Sequence, residues 1–136
     1  RRRGPKPAAP RGPLRWESPD GLTVLVGRNS RQNEQVTFAH AVRGDLWLHA
    51  RGIPGAHVVV RSGGRPVPEA TRRAAAALAA MCSAARGEAR VEVTATDVRH
   101  VRRLKGGGPG MVTVAQGETV VVRPCAPDAL EQGATP

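Results

Sequence analysis

The segment Gly27–Glu34 carries side chains suited to recognition rather than to folding. Arg28 and Arg31 are interleaved with Asn29 and Asn33, directly after an apolar run. Arginine presents a planar fork of donors that fits phosphate, and asparagine offers both a donor and an acceptor to base edges or sugar hydroxyls. Because the segment follows a predicted strand, we expect these side chains to lie in solvent on a rigid support and to bind a ligand.

A second candidate segment, residues 97–110, joins basic side chains to a glycine-rich turn. The basic residues that could bind phosphate there are Arg99, Arg102, Arg103 and Lys105. Glycine lets the backbone approach a ligand closely, and free amides in such a turn bind phosphate oxygens. The residue order is not that of a Walker loop. The alternative is a mobile surface loop, but together with the first segment the pattern favours binding of an extended polyanion.

His49 and His57 raise the question of catalysis, because they could face each other across two predicted strands. Such a pair could form half of a metal site or an acid–base pair. No Glu or Cys lies at ligand spacing, however, and Asp45 is the only nearby carboxylate. We therefore predict no catalytic residue and no metal site. Asp45 is expected to orient a neighbouring arginine or histidine, and Pro54 and Gly55 to support the binding site.

Trp47 permits two interpretations. In the alternation of a strand it shares a face with Asp45 and His49, whereas Leu46 and Leu48 share the other face. If the leucines face the core, Trp47 lies outside and could stack on an exposed base. We favour burial, because large aromatic side chains dominate small cores.

The distribution of charge indicates a basic domain preceded by a more strongly basic segment at residues 1–13. The net charge of the 136-residue chain is +10, and five of its 21 basic residues lie in residues 1–13, where there is no acid. Residues 14–136 therefore carry 16 basic and 11 acidic residues. A basic surface attracts polyanions, of which nucleic acid is the commonest. The alternative explanation is codon composition, which by itself produces chains rich in arginine and alanine.

The cysteine pattern and the hydropathy exclude several classes of protein. Cys82 and Cys125 have neither metal-ligand spacing nor a disulfide framework, and Cys82 is expected to be a small buried thiol in a helix. Nothing in the sequence resembles a signal peptide, because Arg1-Arg2-Arg3 is followed by Gly and Pro and not by an apolar stretch, and no apolar run approaches the roughly 20 residues that span a bilayer. We expect a cytoplasmic protein.

The order of predicted elements gives a single α+β domain at residues 14–125. It would contain a mostly antiparallel sheet, with one long alanine-rich helix and one shorter helix covering one side. Residues 1–13 are predicted to be a basic, disordered Pro/Gly-rich linker and residues 126–136 a C-terminal tail. The predicted elements are a hairpin of 14–17 and 22–26, a helix from Asn29 to about Ala41, strands 46–49 and 57–60, a helix from Glu69 to Arg86 stopped by Gly87, a strand 91–96, and a second hairpin of 111–114 and 119–122.

Several separated motifs closely resemble the NFACT-R domain, the RNA-binding module at the carboxyl end of NFACT proteins, which older usage calls fibronectin-binding proteins. The resemblance covers residues 21–124, and one position departs from it: the family usually has Pro-Gly-Ser-His where this chain has Ala56. The loss of that hydroxyl removes a donor to phosphate or backbone. The matching motifs are Gly27-Arg28-Asn29 with Gln32-Asn33, Asp45-Leu46-Trp47-Leu48-His49-Ala50, Pro54-Gly55-Ala56-His57-Val58, the helix from Ala74 to Arg86, Val101 to Gly106, and Pro109-Gly110-Met111-Val112.

The resemblance implies a role in ribosome-associated quality control. NFACT proteins bind large ribosomal subunits obstructed by peptidyl-tRNA, recruit tRNA and promote template-free tailing of the stalled chain. Since only the carboxyl-terminal module is matched, we expect this chain to bind tRNA or large-subunit rRNA without supporting tailing, and to need no cofactor and no membrane. The expected RNA-binding residues are Arg28, Asn29, Arg31, Asn33, His49, His57, Arg99, Arg102, Arg103 and Lys105, supported by Asp45, Trp47, Pro54 and Gly55.

Two alternatives belong to other classes of protein. One is a protein-interaction domain, either docking a ribosomal protein or acting as an adhesin for an extracellular matrix protein. The absence of a signal peptide and of a disulfide framework speaks against the adhesin. The other is a phosphate-ester enzyme using His49 and His57, which would need a metal or carboxylate partner that the spacing does not reveal.

Overall fold

A computed structural model describes residues 12–128 and 131–133, the last three by their backbone alone. Helix α1 (Ser30–Glu34) continues as a π-helix over Gln35–His40, α2 spans Glu69–Met81, and a 3-10 turn covers Val98–His100. The strands are β1 (Gly12–Glu17), β2 (Thr23–Val26), β3 (Leu46–Ala50), β4 (Val58–Val60), β5 (Val91–Asp97), β6 (Val101–Arg103), β7 (Val112–Val114), β8 (Glu118–Val122) and β9 (Glu131–Gly133).

Seven of these strands form one sheet in the order β8-β5-β3-β4-β2-β1-β9, and β6 and β7 form a separate ribbon. Every pairing between the described strands is antiparallel. The predicted α+β fold with a mostly antiparallel sheet is therefore confirmed. The first predicted hairpin is also correct: β1 and β2 pair across a turn in which Gly21 adopts a φ of 78°.

Helix α2 covers one face of the sheet. Its buried positions are mostly alanines, with Leu78, and small side chains let a helix lie close to the strands beneath it. The strand residues that pack under it include Val24, Val26, Leu48, Val58 and Val60.

The π-helical segment and the β6–β7 ribbon cover the opposite face, where they contact Leu25, Trp47 and Val59. The expectation that both helices cover one side is therefore wrong. Three consecutive residues are buried in β2 (24–26) and again in β4 (58–60), so these central strands are apolar on both faces. A strand of that kind needs cover on each side.

Helix α2 ends at Met81 rather than at the predicted Arg86. The chain at 82–84 instead exchanges backbone hydrogen bonds of 3.0 Å with the turn at 54–56. These bonds take the place of further helical ones, so the helix stops before Gly87 is reached. The early end places Arg86 beside the turn that joins β3 and β4.

The second predicted hairpin is wrong, although its two strands are present. β7 pairs with β6, and β8 pairs with β5 at the edge of the large sheet. The hydroxyl of Thr96, on β5, donates to the carbonyl of Gln116 at 2.6 Å and holds the connecting turn against the large sheet. The two strands therefore belong to different sheets.

The sheet extends into both of the segments predicted to flank the domain. β1 begins at Gly12, inside the predicted linker, and β9 lies inside the predicted tail and pairs with β1. The rest of the predicted linker, residues 1–11, lies outside the described residues, as do 129, 130 and 134–136 of the tail.

Candidate functional site

A cleft of about 820 Å³ opens where β2 and β3 end and β4 begins. It is bordered by α1, by the chain that follows α2, and by the glycine-rich loop between β6 and β7. Motifs that are far apart in the sequence therefore share one site. The predicted site residues that line the cleft are Arg28, Asn29, Asn33, His49, Pro54, Gly55 and His57.

Arg28 is held at the edge of the cleft by the start of α1. Asn29 caps this helix, since its Oδ1 accepts from the amide of Gln32 at 2.9 Å. The side chain of Gln32 reaches back, and its Oε1 accepts from the amide of Arg28 at 2.9 Å. The exposed guanidinium of Arg28 also donates to the carbonyl of Gly12 at 2.9 Å. The cap therefore fixes the position from which this charge faces the solvent.

Asn33 joins α1 to the turn before β4. Its Nδ2 donates to the carbonyl of Gly55 at 3.3 Å, and its Oδ1 accepts from the amide of His57 at 3.0 Å. Gly27 packs directly against it, because a Cβ at that position would lie 2.2 Å from Oδ1 of Asn33. Asn29 and Asn33 thus use their side-chain amides to position the site, which the sequence did not indicate.

His49 and His57 face each other, as the strand pairing predicted. Their ring centroids lie 5.3 Å apart in a perpendicular arrangement, and the ring of Trp47 lies 5.7 Å from His49 and 5.1 Å from His57. Trp47 and His57 are buried, with only 1% and 2% of their surface exposed, whereas His49 is half-buried. The prediction that Trp47 is buried is confirmed, so Trp47 itself is not available to a ligand.

The hydroxyl of Thr37 links the indole to the imidazole. Trp47 Nε1 donates to Thr37 Oγ1 at 3.1 Å, and that oxygen lies 2.7 Å from Nδ1 of His57. The hydroxyl can donate its own proton to Nδ1 while it accepts from the indole, and in that tautomer the neutral ring carries its proton on Nε2. The π-helical turn presents Thr37 to both groups.

The pKa of His57 is lowered to about 4, mainly by burial and to a smaller extent by the adjacent His49. Burial also lowers the pKa of His49 from its usual 6.5. A backbone hydrogen bond to Gly110 opposes the change at His57. Both rings are therefore neutral at physiological pH, and they contribute shape and hydrogen bonds to the cleft rather than charge.

Glu34 fastens the glycine-rich loop to α1. Its carboxylate accepts from the amide of Gly110 at 3.1 Å and from Arg103 Nε at 2.6 Å. The hydrogen bond from Gly110 is the largest cause that lowers the pKa of Glu34. The loop also bonds to itself, since the amides of Gly107 and Gly108 donate to Leu104 and Met111. The expectation that this loop offers free amides to phosphate is wrong for these three glycines.

The predicted basic residues of the second segment are dispersed rather than gathered in the cleft. Arg103 pairs with Glu34 and lies 4.1 Å above the ring of Phe38, and Arg99 lies 3.8 Å from Asp97 at the far end of the sheet. The remaining predicted basic residues are exposed and lie outside the residues that line the cleft: Arg31, Arg102 and Lys105.

Asp45 has a different role from the one expected of it. Its buried carboxylate accepts from the amides of Val42 at 2.9 Å and Gly63 at 2.8 Å. It therefore joins the loops at 42–45 and 61–65, far from the cleft. The prediction that it orients an arginine or a histidine is wrong.

Sequence reasoning missed several residues that shape the cleft. Leu104 and Met111 line it from the glycine-rich loop, Leu14 from β1, and Arg86 from the chain after α2. The sequence did contain a signal for Leu104 and Met111, since apolar side chains in a polar loop are exposed unless something covers them. It contained no signal for Arg86, because that residue was assigned to the long helix.

No carboxylate is found among the described residues that line the cleft. In the described part of the chain, no three His, Cys, Asp or Glu side chains are grouped so that they could hold a metal ion. None of the described helices is long and apolar enough to cross a membrane.

Residues 13–121 match the NFACT protein RNA binding domain. The chain is also similar to the Rqc2 homolog RqcH of Bacillus subtilis, with 43% identity over 131 residues, which are 95% of this chain and 23% of that protein. The Streptococcus suis Rqc2 homolog RqcH is 41% identical over 113 residues, 82% of this chain and 20% of that protein. The chain thus spans less than a quarter of the length of these relatives.

A solved structure shares the fold. The C-terminal part of the fibronectin/fibrinogen-binding protein from Streptococcus suis superposes with a TM-score of 0.80 at 37% identity. The match covers 92% of this chain and 51% of that one. The likeness therefore extends over nearly all of the chain.

Proposed function

Because the chain belongs to the NFACT RNA-binding domain family, we propose that it is a non-catalytic RNA-binding module of a ribosome-associated quality control factor. The observation that carries the proposal is the composition of the cleft. Arg28 and Arg86 line it from two different segments, and none of its described lining residues is acidic. Two guanidinium groups in such a lining attract phosphate, and the carboxylate of Glu34, which bonds to Gly110 at the cleft, is paired with Arg103.

Phosphate contacts would begin at the cleft and extend along α1 and the β6–β7 ribbon. Arg28 and Arg86 are exposed at the cleft. The positively charged surface continues beyond the cleft with three further exposed residues, Arg31, Arg102 and Lys105. The charges of Arg103 and Arg99 are partly offset by their carboxylate partners, so we assign these two residues a smaller share. Asn29, Asn33 and the two histidines hold the cleft in shape.

We assign tRNA and large-subunit rRNA as the RNA partners and the obstructed large ribosomal subunit as the assembly on which the whole protein acts. This assignment is supported by the similarity to the Rqc2 homologs and by the resemblance of the motifs. The module would work in the cytoplasm, where that assembly is found. Its task would be to bind RNA without supporting the tailing reaction.

Titration of labelled tRNA with the chain over a salt series tests the proposal. We expect tight binding at low salt that weakens by roughly 0.7 to 0.9 log units per phosphate contact for each tenfold rise in salt. An affinity that is independent of salt, or no binding at low salt, would contradict it.

Fibronectin binding is a second candidate, because the solved relative from Streptococcus suis is described as a fibronectin/fibrinogen-binding protein. The same chain applied to immobilised fibronectin separates the two functions. Saturable binding to fibronectin without binding to tRNA would replace the RNA proposal with this protein-interaction role.

A further inference from the structure

The aromatic cluster beneath the cleft exposes one of its three rings. Trp47 is buried, its plane lies within 16° of the plane of His49, and His57 stands perpendicular to both. His49 is the half-buried member, and it lines the cleft. A flat ligand that enters the cleft therefore meets the neutral imidazole of His49, which is stacked on the indole of Trp47.

The part of the cleft lining that comes from the glycine-rich loop is apolar and exposed. Four large hydrophobic side chains are exposed among the described residues, and two of them, Leu104 at 37% and Met111 at 51%, line this cleft. Both come from the glycine-rich loop that Glu34 fastens to α1. Exposed apolar surface in the same cleft as an aromatic ring favours a flat, partly apolar ligand over a phosphate alone.

The charges and the size of the cleft restrict the ligand further. Arg28 and Arg86 line the cleft from different segments, those that follow β2 and α2, and no acidic residue joins them among the described lining residues. The volume of about 820 Å³ falls in the range of sites that hold small organic ligands, roughly 300–1,000 Å³. One nucleotide, with a phosphate on each side of it, has the charge and the size that this arrangement fits.

We propose that the cleft holds one unstacked nucleobase of a single-stranded RNA segment, packed between the ring of His49 and the side chains of Leu104 and Met111, with its flanking phosphates on Arg28 and Arg86. The inference rests on the proposed RNA-binding function and names the ligand of that site. Bases that leave a stack commonly pack on aromatic and apolar side chains in this manner.

Two five-nucleotide probes of equal charge test the inference: pentaadenylate, and a pentamer of the same ribose-phosphate backbone without bases. The full chain should bind the pentaadenylate roughly 5- to 100-fold more tightly, because stacking of one base contributes on that order. In His49→Ala this preference should be lost, and in His49→Phe, which keeps a flat ring, it should be retained.

A second variant keeps the test decisive if changes at His49 disturb folding. Met111→Glu places a carboxylate on the exposed wall of the cleft, and Val121→Glu makes the same kind of change at an exposed position on β8, which does not line the cleft. The preference for bases should disappear in the first variant and persist in the second. A preference that persists in both would place the base elsewhere and overturn the inference.

The possible failures are distinguishable. Equal, salt-sensitive affinity for the two pentamers would overturn the base-binding cleft and leave the RNA-binding function standing. Binding of tRNA without binding of either pentamer would also overturn it, since the ligand would then be structured RNA. Failure to bind tRNA as well would contradict the proposed function itself.

Discussion

Thr37 Oγ1 lies 2.7 Å from Nδ1 of His57 and also accepts a hydrogen bond from the indole of Trp47 at 3.1 Å. One hydroxyl therefore satisfies two buried polar groups that come from adjacent strands. This contact connects the core of the domain to its cleft, because His57 and its neighbour His49 both line the cleft. Loss of the Thr37 hydroxyl would therefore disturb the cleft through His57.

Replacement of Thr37 by valine should destabilise the protein. The variant keeps the shape of the side chain but leaves the indole N–H and the imidazole nitrogen without their partner, at a cost of about 2–4 kcal/mol in the free energy of unfolding. Thr37→Ser, which retains the hydroxyl, serves as the matched control and should lose much less. Urea denaturation measures both, and equal stability of the valine variant and the wild type would show that the hydroxyl is not required.

The free energy of unfolding should fall as the pH is lowered from 6.5 to about 4. His57 is neutral in the folded protein, with its pKa lowered by burial to about 4, whereas the unfolded chain takes up a proton near 6.5. The stabilisation is therefore complete above pH 6.5 and is lost toward pH 4, by up to about 3 kcal/mol for this one residue. His49, whose pKa is also lowered, adds to the loss in the same direction.

The comparison of the wild type with His57→Gln checks this origin. The melting temperature of the variant should depend much less on pH between 4.5 and 6.5, whatever its absolute stability. Glu34 and Asp97, whose pKa values are lowered from 4.5 and 3.8, lose their contribution mainly toward the acid end of this range and below it. Both are present in the two proteins, so the difference between the slopes is assigned to His57. An unchanged slope in the variant would refute the assignment to His57.

Glu34→Ala should release the glycine-rich loop while the fold remains. The substitution removes the acceptor of the Gly110 amide and the partner of Arg103. Hydrogen exchange at Gly110 should become faster, while amides of β3 and β5 in the centre of the sheet keep their protection. Glu34→Gln retains an acceptor oxygen and should exchange more slowly than the alanine variant. Unaltered exchange at Gly110 would mean that the loop is held by other contacts.

The sequence predicted seven of the strands, the pairing of β1 with β2 and the start of the long helix, but it predicted neither β6 nor β9, nor the partners of β7 and β8. The alternation of apolar and polar residues in 112–114 and 118–122 indicates that each strand has two different faces. It carries no information about which strand is the partner. The hydrogen bond between Glu34 and Gly110 joins residues that are 76 positions apart, so no local pattern could reveal it. The position of Arg86 likewise depended on bonds between 82–84 and the turn at 54–56.

The role of individual residues was harder to predict than their location. The two asparagines of the first motif line the cleft together with Arg28. The amide groups that suit asparagine for a ligand also suit it for capping a helix and for bonding to a turn, and the structure uses them in the second way. Residue type and spacing do not distinguish these uses, because both need the same donors and acceptors.

Binding of RNA phosphates at the cleft is tested by comparing the affinity for tRNA of Arg28→Ala with that of Arg73→Ala. Arg73 is an exposed arginine on α2 that does not line the cleft, so its loss removes the same charge at another place. We expect the Arg28 variant to bind tRNA roughly tenfold more weakly and with a shallower salt dependence, and the Arg73 variant to bind nearly as the wild type does. Equal affinities for all three proteins, with unchanged thermal stability, would mean that RNA phosphates bind outside the cleft.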